Sequence, residues 1–121
     1  MELRLLLVDD DPSTLKLFSL ILAKGGYSVR TAESGGDALQ ALSAEGKFDL
    51  LILDLCMPKP DGFEVLKQVK ELYPGLRTLV ISGYLSGALL PASECLGATA
   101  TLNKTSAPEL LLAQVNQLLL G

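Results

Sequence analysis

The sequence predicts an α/β fold in which helices cover both faces of a parallel β-sheet. Five apolar runs of strand length recur along the 121 residues, and segments of helical period separate them. Two of these runs, residues 5–8 and 50–53, are apolar at every position, as expected for strands that are buried on both faces. Strands that alternate with helices form parallel sheets with right-handed crossovers. We therefore expect five βα units arranged as a three-layer sandwich.

The first helix has the clearest boundaries. It is predicted over Pro12–Lys24, because Asp11 can cap it, proline suits its first turn and two glycines follow it. Leu15, Phe18, Ile21 and Leu22 share one face of this helix. The predicted strands occupy residues 5–8, 29–32, 50–53, 79–81 and 98–102.

The remaining helices follow the same signals. The second is predicted over 36–45, and the third over Gly62–Leu72 with Phe63, Leu66 and Val69 facing inward. Pro91 forbids one continuous helix through 84–96, so we expect a loop and then a short helix that begins near Pro91. The last helix is predicted to begin near Ser106, its N-cap.

The composition excludes several functions. The chain has no histidine, which removes Ser-His-Asp and Cys-His catalysis and the usual zinc ligands. Cys56 and Cys95 lie far apart and form no CxxC motif, so neither a disulfide framework nor a zinc site is expected. A net charge of −4 with scattered basic residues argues against direct nucleic-acid binding.

The chain is also expected to have no membrane segment. No apolar run reaches the roughly 18 residues that a membrane span needs, and no secretion signal precedes the first strand. We therefore expect a single cytoplasmic domain over residues 1–121.

Polar residues follow all five predicted strands, and after the second strand they are only Glu33 and Ser34. Asp9 and Asp10 follow the first strand, Asp54 the third, Ser82 the fourth and Lys104 the fifth. In an open α/β sheet, ligands bind outside the carboxyl ends of the strands. We therefore expect these side chains to meet at one edge of the sheet.

An acid cluster at this edge predicts a bound cation. Two carboxylates about 4 Å apart repel by ~1 kcal/mol in water and ~4 kcal/mol at the effective dielectric of a protein surface. Oxygen ligands without histidine select a hard divalent ion, Mg²⁺ or Mn²⁺. Such an ion would hold a phosphoryl group, with Lys104 and Ser82 as further donors and one carboxylate as the nucleophile that forms an acyl phosphate. Asp11 is expected to serve as a helix cap only.

Four stretches carry a family resemblance. "LLLVDDDPS", "DLLILDLCMPKPDGFEVL", "TLVISGY" and "LGATATLNK" resemble, in order and spacing, the receiver domain of two-component response regulators, a superfamily that includes chemotaxis proteins. The resemblance covers essentially the whole chain. It implies a flavodoxin-like doubly wound sheet with strand order 2-1-3-4-5, an order taken from the family.

The resemblance also implies roles for the residues at the sheet edge. Asp54 would take a phosphoryl group from the phosphohistidine of a sensor histidine kinase or a histidine phosphotransfer protein. Ser82 would donate a hydrogen bond to a phosphoryl oxygen, and Lys104 would pair with Asp54 or with its phosphate. An output domain or protein partner would receive the signal. The implied metal ligands are Asp9, Asp10, Asp54 and the backbone carbonyl of Cys56.

The sequence departs from the family at positions that usually transmit or time the signal. Thr101 stands where the family carries an aromatic switch residue, and Thr105 replaces the proline that follows the lysine through a cis bond. We therefore expect an altered output switch and an altered Lys104 loop. Cys56 and Tyr84 occupy the positions that tune hydrolysis, and neither is an acid or amide. This predicts slow self-dephosphorylation.

Two other functions remain as alternatives. A pseudo-receiver would bind partners without phosphorylation. The complete acid, hydroxyl and lysine set argues against this alternative, and the lost switch residues argue partly for it. An Mg²⁺-dependent phosphatase with an aspartyl nucleophile would need a second acid two residues past Asp54, where this chain has Cys56. We therefore expect a phosphoacceptor switch and not an enzyme beyond its own phosphorylation and dephosphorylation. The sequence leaves open whether the domain acts alone, in a hybrid kinase or in a longer protein.

Overall fold

The computed structural model describes residues 2–58, 60–83 and 90–121. Its five strands form one parallel sheet in the order β2-β1-β3-β4-β5. This confirms the predicted fold class and the strand order that the family resemblance implied. The strands are β1 (Arg4–Val8), β2 (Ser28–Ala32), β3 (Leu50–Asp54), β4 (Arg77–Ser82) and β5 (Ala100–Asn103).

Five α-helices in the described parts of the chain connect and flank the strands. Both α1 and α3 have the predicted ends, and α4 begins one residue before Pro91, as expected. The loop predicted before α4 falls on residues 84–89, outside the described residues. A 3₁₀ turn over Lys104–Ser106 joins β5 to α5. The helices are α1 (Pro12–Lys24), α2 (Gly35–Glu45), α3 (Gly62–Leu72), α4 (Leu90–Cys95) and α5 (Ala107–Leu119).

Two apolar clusters fill the space on the two faces of the sheet. In β3, Leu51 and Leu53 join α2 and α3 on one face, while Leu50 and Ile52 join α1 and α5 on the other. All four side chains are fully buried. The continuous apolar runs of the sequence therefore reflect a sheet that is covered on both faces, which leaves its edges and strand ends for polar chemistry.

The helix faces differ from the prediction in detail. In α1, Leu15, Phe18 and Leu22 are buried, whereas Ile21 is half-buried at the edge of the cluster. In α3, Phe63 is half-buried. The buried stripe of this helix consists of Gly62, Val65, Leu66 and Val69.

Several predicted boundaries differ by one or two residues, and hydrogen bonds explain the differences at the start of β5 and at the start of α5. β5 begins at residue 100 instead of 98, because the Ala98 N–H donates to Ser93 O and closes the turn after α4. Ser106 precedes α5 but makes no capping hydrogen bond with its side chain. Asn103 instead caps the preceding 3₁₀ turn through the Thr105 N–H. Among the described residues, no helix is long and apolar enough to cross a membrane.

Candidate functional site

Three carboxylates meet at the carboxyl end of the sheet. Because Val8 of β1 pairs with Leu53 of β3, Asp9 and Asp54 emerge side by side from neighbouring strands. Asp9, Asp10 and Asp54 each bring a carboxylate oxygen within 4.8 Å of those of the other two. Asp9 and Asp54 are buried, with 3% and 4% of their surface exposed, while Asp10 is exposed. The structure thus brings the predicted acids together.

The Lys104 ammonium lies between the two buried acids. Its Nζ is 2.8 Å from Asp9 Oδ2 and 3.4 Å from Asp54 Oδ2. Gly83 makes room for this side chain, because a Cβ at Gly83 would stand only 3.3 Å from the Cβ of Lys104. The lysine therefore neutralises part of the negative charge of Asp9 and Asp54.

Each buried carboxylate is held at both oxygens in the same way. Asp9 Oδ1 accepts the N–H of Asp11 at 2.9 Å, and Asp54 Oδ1 accepts the N–H of Cys56 at 3.1 Å. In both acids the other oxygen, Oδ2, faces Lys104. Main-chain donors two residues along the chain thus fix the orientation of both carboxylates before any ligand binds.

The surroundings shift the pKa values of the site. Burial raises the pKa of Asp54 to about 6, and the charge of Asp9 adds to this, while the Cys56 N–H and Lys104 oppose it. For Lys104, burial lowers the pKa, but the hydrogen bond to Asp9 and the charges of Asp54 and Asp9 outweigh it, so the pKa is raised. The lysine is therefore firmly charged, whereas the ionisation of Asp54 is disfavoured.

Ser82 and Cys56 lie beside this centre. Ser82 ends β4 and is fully buried; its strand neighbour Ile81 pairs with Asp54 in the sheet. The Ser82 hydroxyl is 3.7 Å from the thiol of Cys56, and either can be the donor. Cys56 itself is exposed and is a free thiol. The predicted hydroxyl thus reaches the same edge as the acids.

The predicted switch and tuning positions lie in different parts of the structure. Thr101 is half-buried in β5 and pairs with Val80, so it lies along the strand and not at the acid edge. Tyr84 lies outside the described residues. Thr105 is exposed, and both its N–H and its hydroxyl donate to Asn103 Oδ1, at 3.1 and 2.8 Å. Asn103 was not singled out by the sequence analysis, although an asparagine before a short polar turn is a common cap.

Helix caps on both sides of the site support its loops. Asp11 Oδ1 accepts the Ser13 N–H at 3.0 Å, which confirms its predicted capping role. Asp61 caps α3 in the same way through the Glu64 N–H. Gly62 allows α3 to approach the end of β3, because a Cβ there would stand 2.5 Å from the Asp54 carbonyl oxygen. The glycine therefore helps to place the loop that follows Asp54.

The donor set suits a hard divalent cation. Three carboxylate oxygens within 4.8 Å of one another offer the all-oxygen environment that Mg²⁺ and related ions prefer. The charges of the described residues agree with this, because Lys104 pairs with two of the three acids and offsets only part of their negative charge. The acid cluster is thus capable of holding a divalent metal.

Comparison with known proteins identifies the class. The model of the family described as "Response regulator receiver domain" matches residues 5–116. The chain therefore belongs to the response regulator receiver domain family of two-component signalling. Receiver domains are phosphoacceptor switches, and neither the pseudo-receiver nor the phosphatase alternative is favoured.

Curated relatives of the chain also include response regulators. Over 91 residues the chain is 35% identical to the response regulator receiver protein CpdR of Brucella abortus, covering 75% of each. It is 36% identical over 119 residues to response regulator MprA of Mycobacterium bovis, covering 98% of this chain but 51% of that protein. It matches transcriptional regulatory protein GlrR of Escherichia coli at 45% over 80 residues, which is 18% of GlrR. The chain thus spans only part of several relatives.

Solved structures show the same fold. The CheY-like receiver domain protein of Methanospirillum hungatei has a TM-score of 0.90 and 31% identity, covering 98% of this chain and 94% of that one. Response regulator TrrA of Thermotoga maritima, solved in complex with Mg²⁺-BeF, has a TM-score of 0.86 and 30% identity, covering 98% and 100%.

Proposed function

We propose that Asp54 accepts a phosphoryl group from a phosphohistidine, and that residues 1–121 act as one receiver domain. The observation that carries this proposal is the Lys104 ammonium between two buried carboxylates, 2.8 Å from Asp9 and 3.4 Å from Asp54. A site of this kind combines a nucleophile with fixed positive charge next to it. That combination is what transfer of a phosphoryl group to a carboxylate requires.

Asp54 is the better nucleophile of the two buried acids. Its Oδ1 is held by the Cys56 N–H, and its Oδ2 is less tightly paired with Lys104 than the Oδ2 of Asp9 is. With a pKa of about 6, the carboxylate is mostly ionised at neutral pH. In the proposed transfer, a carboxylate oxygen of Asp54 bonds to phosphorus, the P–N bond breaks, and its electron pair stays on the donor imidazole.

We propose Mg²⁺, with Mn²⁺ as a substitute, as the cation of the acid cluster. Bound there, the ion would offset the charge of the acids and of the phosphoryl oxygens. The proposed ligands are Asp9, Asp10, Asp54 and the backbone carbonyl of Cys56. The crystal structure of TrrA from T. maritima was solved with Mg²⁺-BeF, and this supports the proposal for a chain of the same fold.

The other site residues would bind the transferred group. The ammonium of Lys104 would exchange its contact with the Asp54 carboxylate for one with the phosphoryl oxygens. The hydroxyl of Ser82 would donate a hydrogen bond to one of these oxygens. The proposed donor is a sensor histidine kinase or a histidine phosphotransfer protein. The proposed receiver of the signal is a protein partner or an attached output domain, without direct nucleic-acid or membrane contact by these residues. A cytoplasmic location stays a prediction.

The test uses a small acyl phosphate as donor and intact-mass spectrometry as readout. With Mg²⁺, the chain should gain the mass of one phosphoryl group, and Asp54→Asn should gain none. Asp11→Asn is the matched control, because Asp11 is a neighbouring exposed acid whose capping role asparagine preserves. Phosphorylation of Asp54→Asn, or its absence in the wild-type chain with Mg²⁺, would contradict the proposal.

A further inference from the structure

A cavity of about 530 Å³ lies at the end of the sheet opposite the acid cluster. It is formed by the end of α2, the loop before β3 and the loop before β4. Phe48 and Leu76 stand just before β3 and β4, whereas Asp54 and Ser82 end those strands. Its volume falls within the range of about 300–1,000 Å³ that small-molecule sites occupy.

The walls of this cavity are mainly apolar and partly aromatic. Leu42 and Phe48 are buried members of the core, and Tyr73 and Leu76 pack against the same cluster. The Arg4 guanidinium lies 4.5 Å from the centre of the Phe48 ring. Arg4 is itself held, because its side chain donates to the carbonyl oxygens of residues 45 and 47. The Phe48 side of the wall is therefore fixed in place before a ligand arrives, which lowers the cost of binding.

The charge along the described lining of the cavity is positive, which favours an anionic ligand. Lys47 is exposed and is the one charged residue among those described that line it. The acids nearest in sequence are already engaged: Glu45 Oε1 is 3.6 Å from the Arg4 guanidinium, and Asp49 Oδ2 accepts the Arg4 N–H at 2.7 Å. A ligand with an acidic group thus meets a lysine without a competing free carboxylate in the lining.

Two glycines leave the rim of the cavity open. A Cβ at either Gly46 or Gly75 would meet no atom within 4 Å. Gly46 has a φ of 83°, where a larger residue is strained, whereas Gly75 is free of this restriction. A larger side chain at Gly75 therefore offers a way to fill the cavity without a backbone clash.

We propose that this cavity binds a small organic monoanion with a flat apolar body. The body would lie between Phe48 and Tyr73, and the carboxylate or sulfonate group would pair with Lys47. Apolar contact would supply the affinity, and the lysine would supply the choice of charge. The site is separate from the phosphoacceptor centre, and the proposal does not depend on phosphorylation.

The test follows indole-3-acetate binding to the ¹⁵N-labelled full chain by NMR. Amide shifts should be confined to residues 42–48 and 73–76 and should saturate with a Kd of about 1 mM or tighter. Gly75→Leu should weaken binding at least ~10-fold, because leucine would occupy the space. Gly36→Leu is the matched control and should bind normally, because Gly36 is equally open but does not line the cavity.

A second pair of measurements tests the charge. Lys47→Glu should weaken indole-3-acetate binding ~3-fold or more, and 3-methylindole, which lacks the carboxylate, should be insensitive to this change. Lys67→Glu is the surface control. If Gly75→Leu does not fold, the Lys47→Glu measurement alone tests the proposed site. Shifts elsewhere in the chain, or equal binding by wild type and Lys47→Glu, would overturn the proposal. Concentration-dependent shifts at these amides without the probe would instead assign the cavity to a second copy.

Discussion

The ammonium of Lys104 lies 2.8 Å from Oδ2 of Asp9, a shorter distance than its 3.4 Å contact with Asp54. The lysine thus pairs more closely with Asp9, which we propose as a metal ligand only, than with Asp54, which we propose as both a metal ligand and the phosphoacceptor. A cation that binds Asp9 has to share this carboxylate with a positive charge already present. Lys104 should therefore oppose metal binding even while it favours the phosphoryl group.

Removing the charge of Lys104 should tighten divalent metal binding. We expect Lys104→Met to lower the Kd for Mg²⁺ by up to about tenfold, since it removes a repulsion on the order of 1 kcal/mol. The methionine keeps the length of the apolar stem. Isothermal titration calorimetry measures the change, and Lys24→Met is the control, because Lys24 is an exposed residue at the far end of α1. Equal or weaker Mg²⁺ binding by Lys104→Met would show that the lysine does not compete with the metal.

The raised pKa of Asp54 predicts a pH dependence of stability. The folded protein holds a proton on Asp54 up to a pKa of about 6, above the ordinary value of 3.8. Between these values the folded state binds more protons than the unfolded state, so the free energy of unfolding falls as the pH rises. Asp54→Asn removes this cost and should be more stable than wild type at pH 7 by about 1–3 kcal/mol.

The measurement is urea unfolding of both proteins at several pH values with a chelator present. As the pH falls through 6, the difference in unfolding free energy between Asp54→Asn and wild type should shrink, and it should disappear near the ordinary pKa of the carboxyl group. Asp11 gives the opposite sign, because the Ser13 N–H and the Thr14 hydroxyl lower its pKa. The stability that this cap provides should be present above its unfolded pKa and lost as the pH falls through its folded value. A stability difference for Asp54→Asn that is constant from pH 7 to pH 4 would contradict the assignment.

The positions of the acids could be predicted from sequence, whereas their pairing could not. Asp9, Asp54 and Lys104 follow apolar runs, and a parallel sheet places all such strand ends at one edge, so pattern alone brings them together. The closer pairing of Lys104 with Asp9 depends on side-chain geometry. The Asn103 cap depends on the 3₁₀ turn that follows β5, and the cavity beside Phe48 depends on how two loops meet. Neither of these leaves a periodic signal in the sequence.

A buried hydroxyl in β4 offers a way to stabilise the fold. Thr78 is fully buried, and its Oγ1 has no hydrogen-bond partner in the described part of the chain. Thr78→Val replaces the hydroxyl by a methyl group of similar size and should raise the free energy of unfolding by about 1 kcal/mol.

Thr99→Val provides a matched comparison of opposite sign. The Thr99 hydroxyl accepts the main-chain N–H of Thr78 at 3.0 Å, so this substitution removes the partner of a partly buried main-chain donor. We expect a loss of about 1–2 kcal/mol. Urea midpoints with unchanged slopes measure both effects. Destabilisation by Thr78→Val would mean that its hydroxyl is satisfied in solution.

The exposed position of Cys56 predicts slow loss of the phosphoryl group from Asp54. A thiol at this place, two residues past the proposed phosphoacceptor and 3.7 Å from the Ser82 hydroxyl, is a poor group for orienting an attacking water molecule. Cys56→Asn supplies an amide at the same exposed site and should shorten the half-life of the phosphorylated form about tenfold, a change of ~1.4 kcal/mol in the barrier. Cys56→Ser, which keeps a small side chain, should stay close to wild type.

Intact-mass spectrometry at intervals after removal of an acyl phosphate donor follows the decay. A wild-type half-life of seconds would refute slow self-dephosphorylation, and equal decay of Cys56→Asn and Cys56→Ser would show that this side chain does not control access of water.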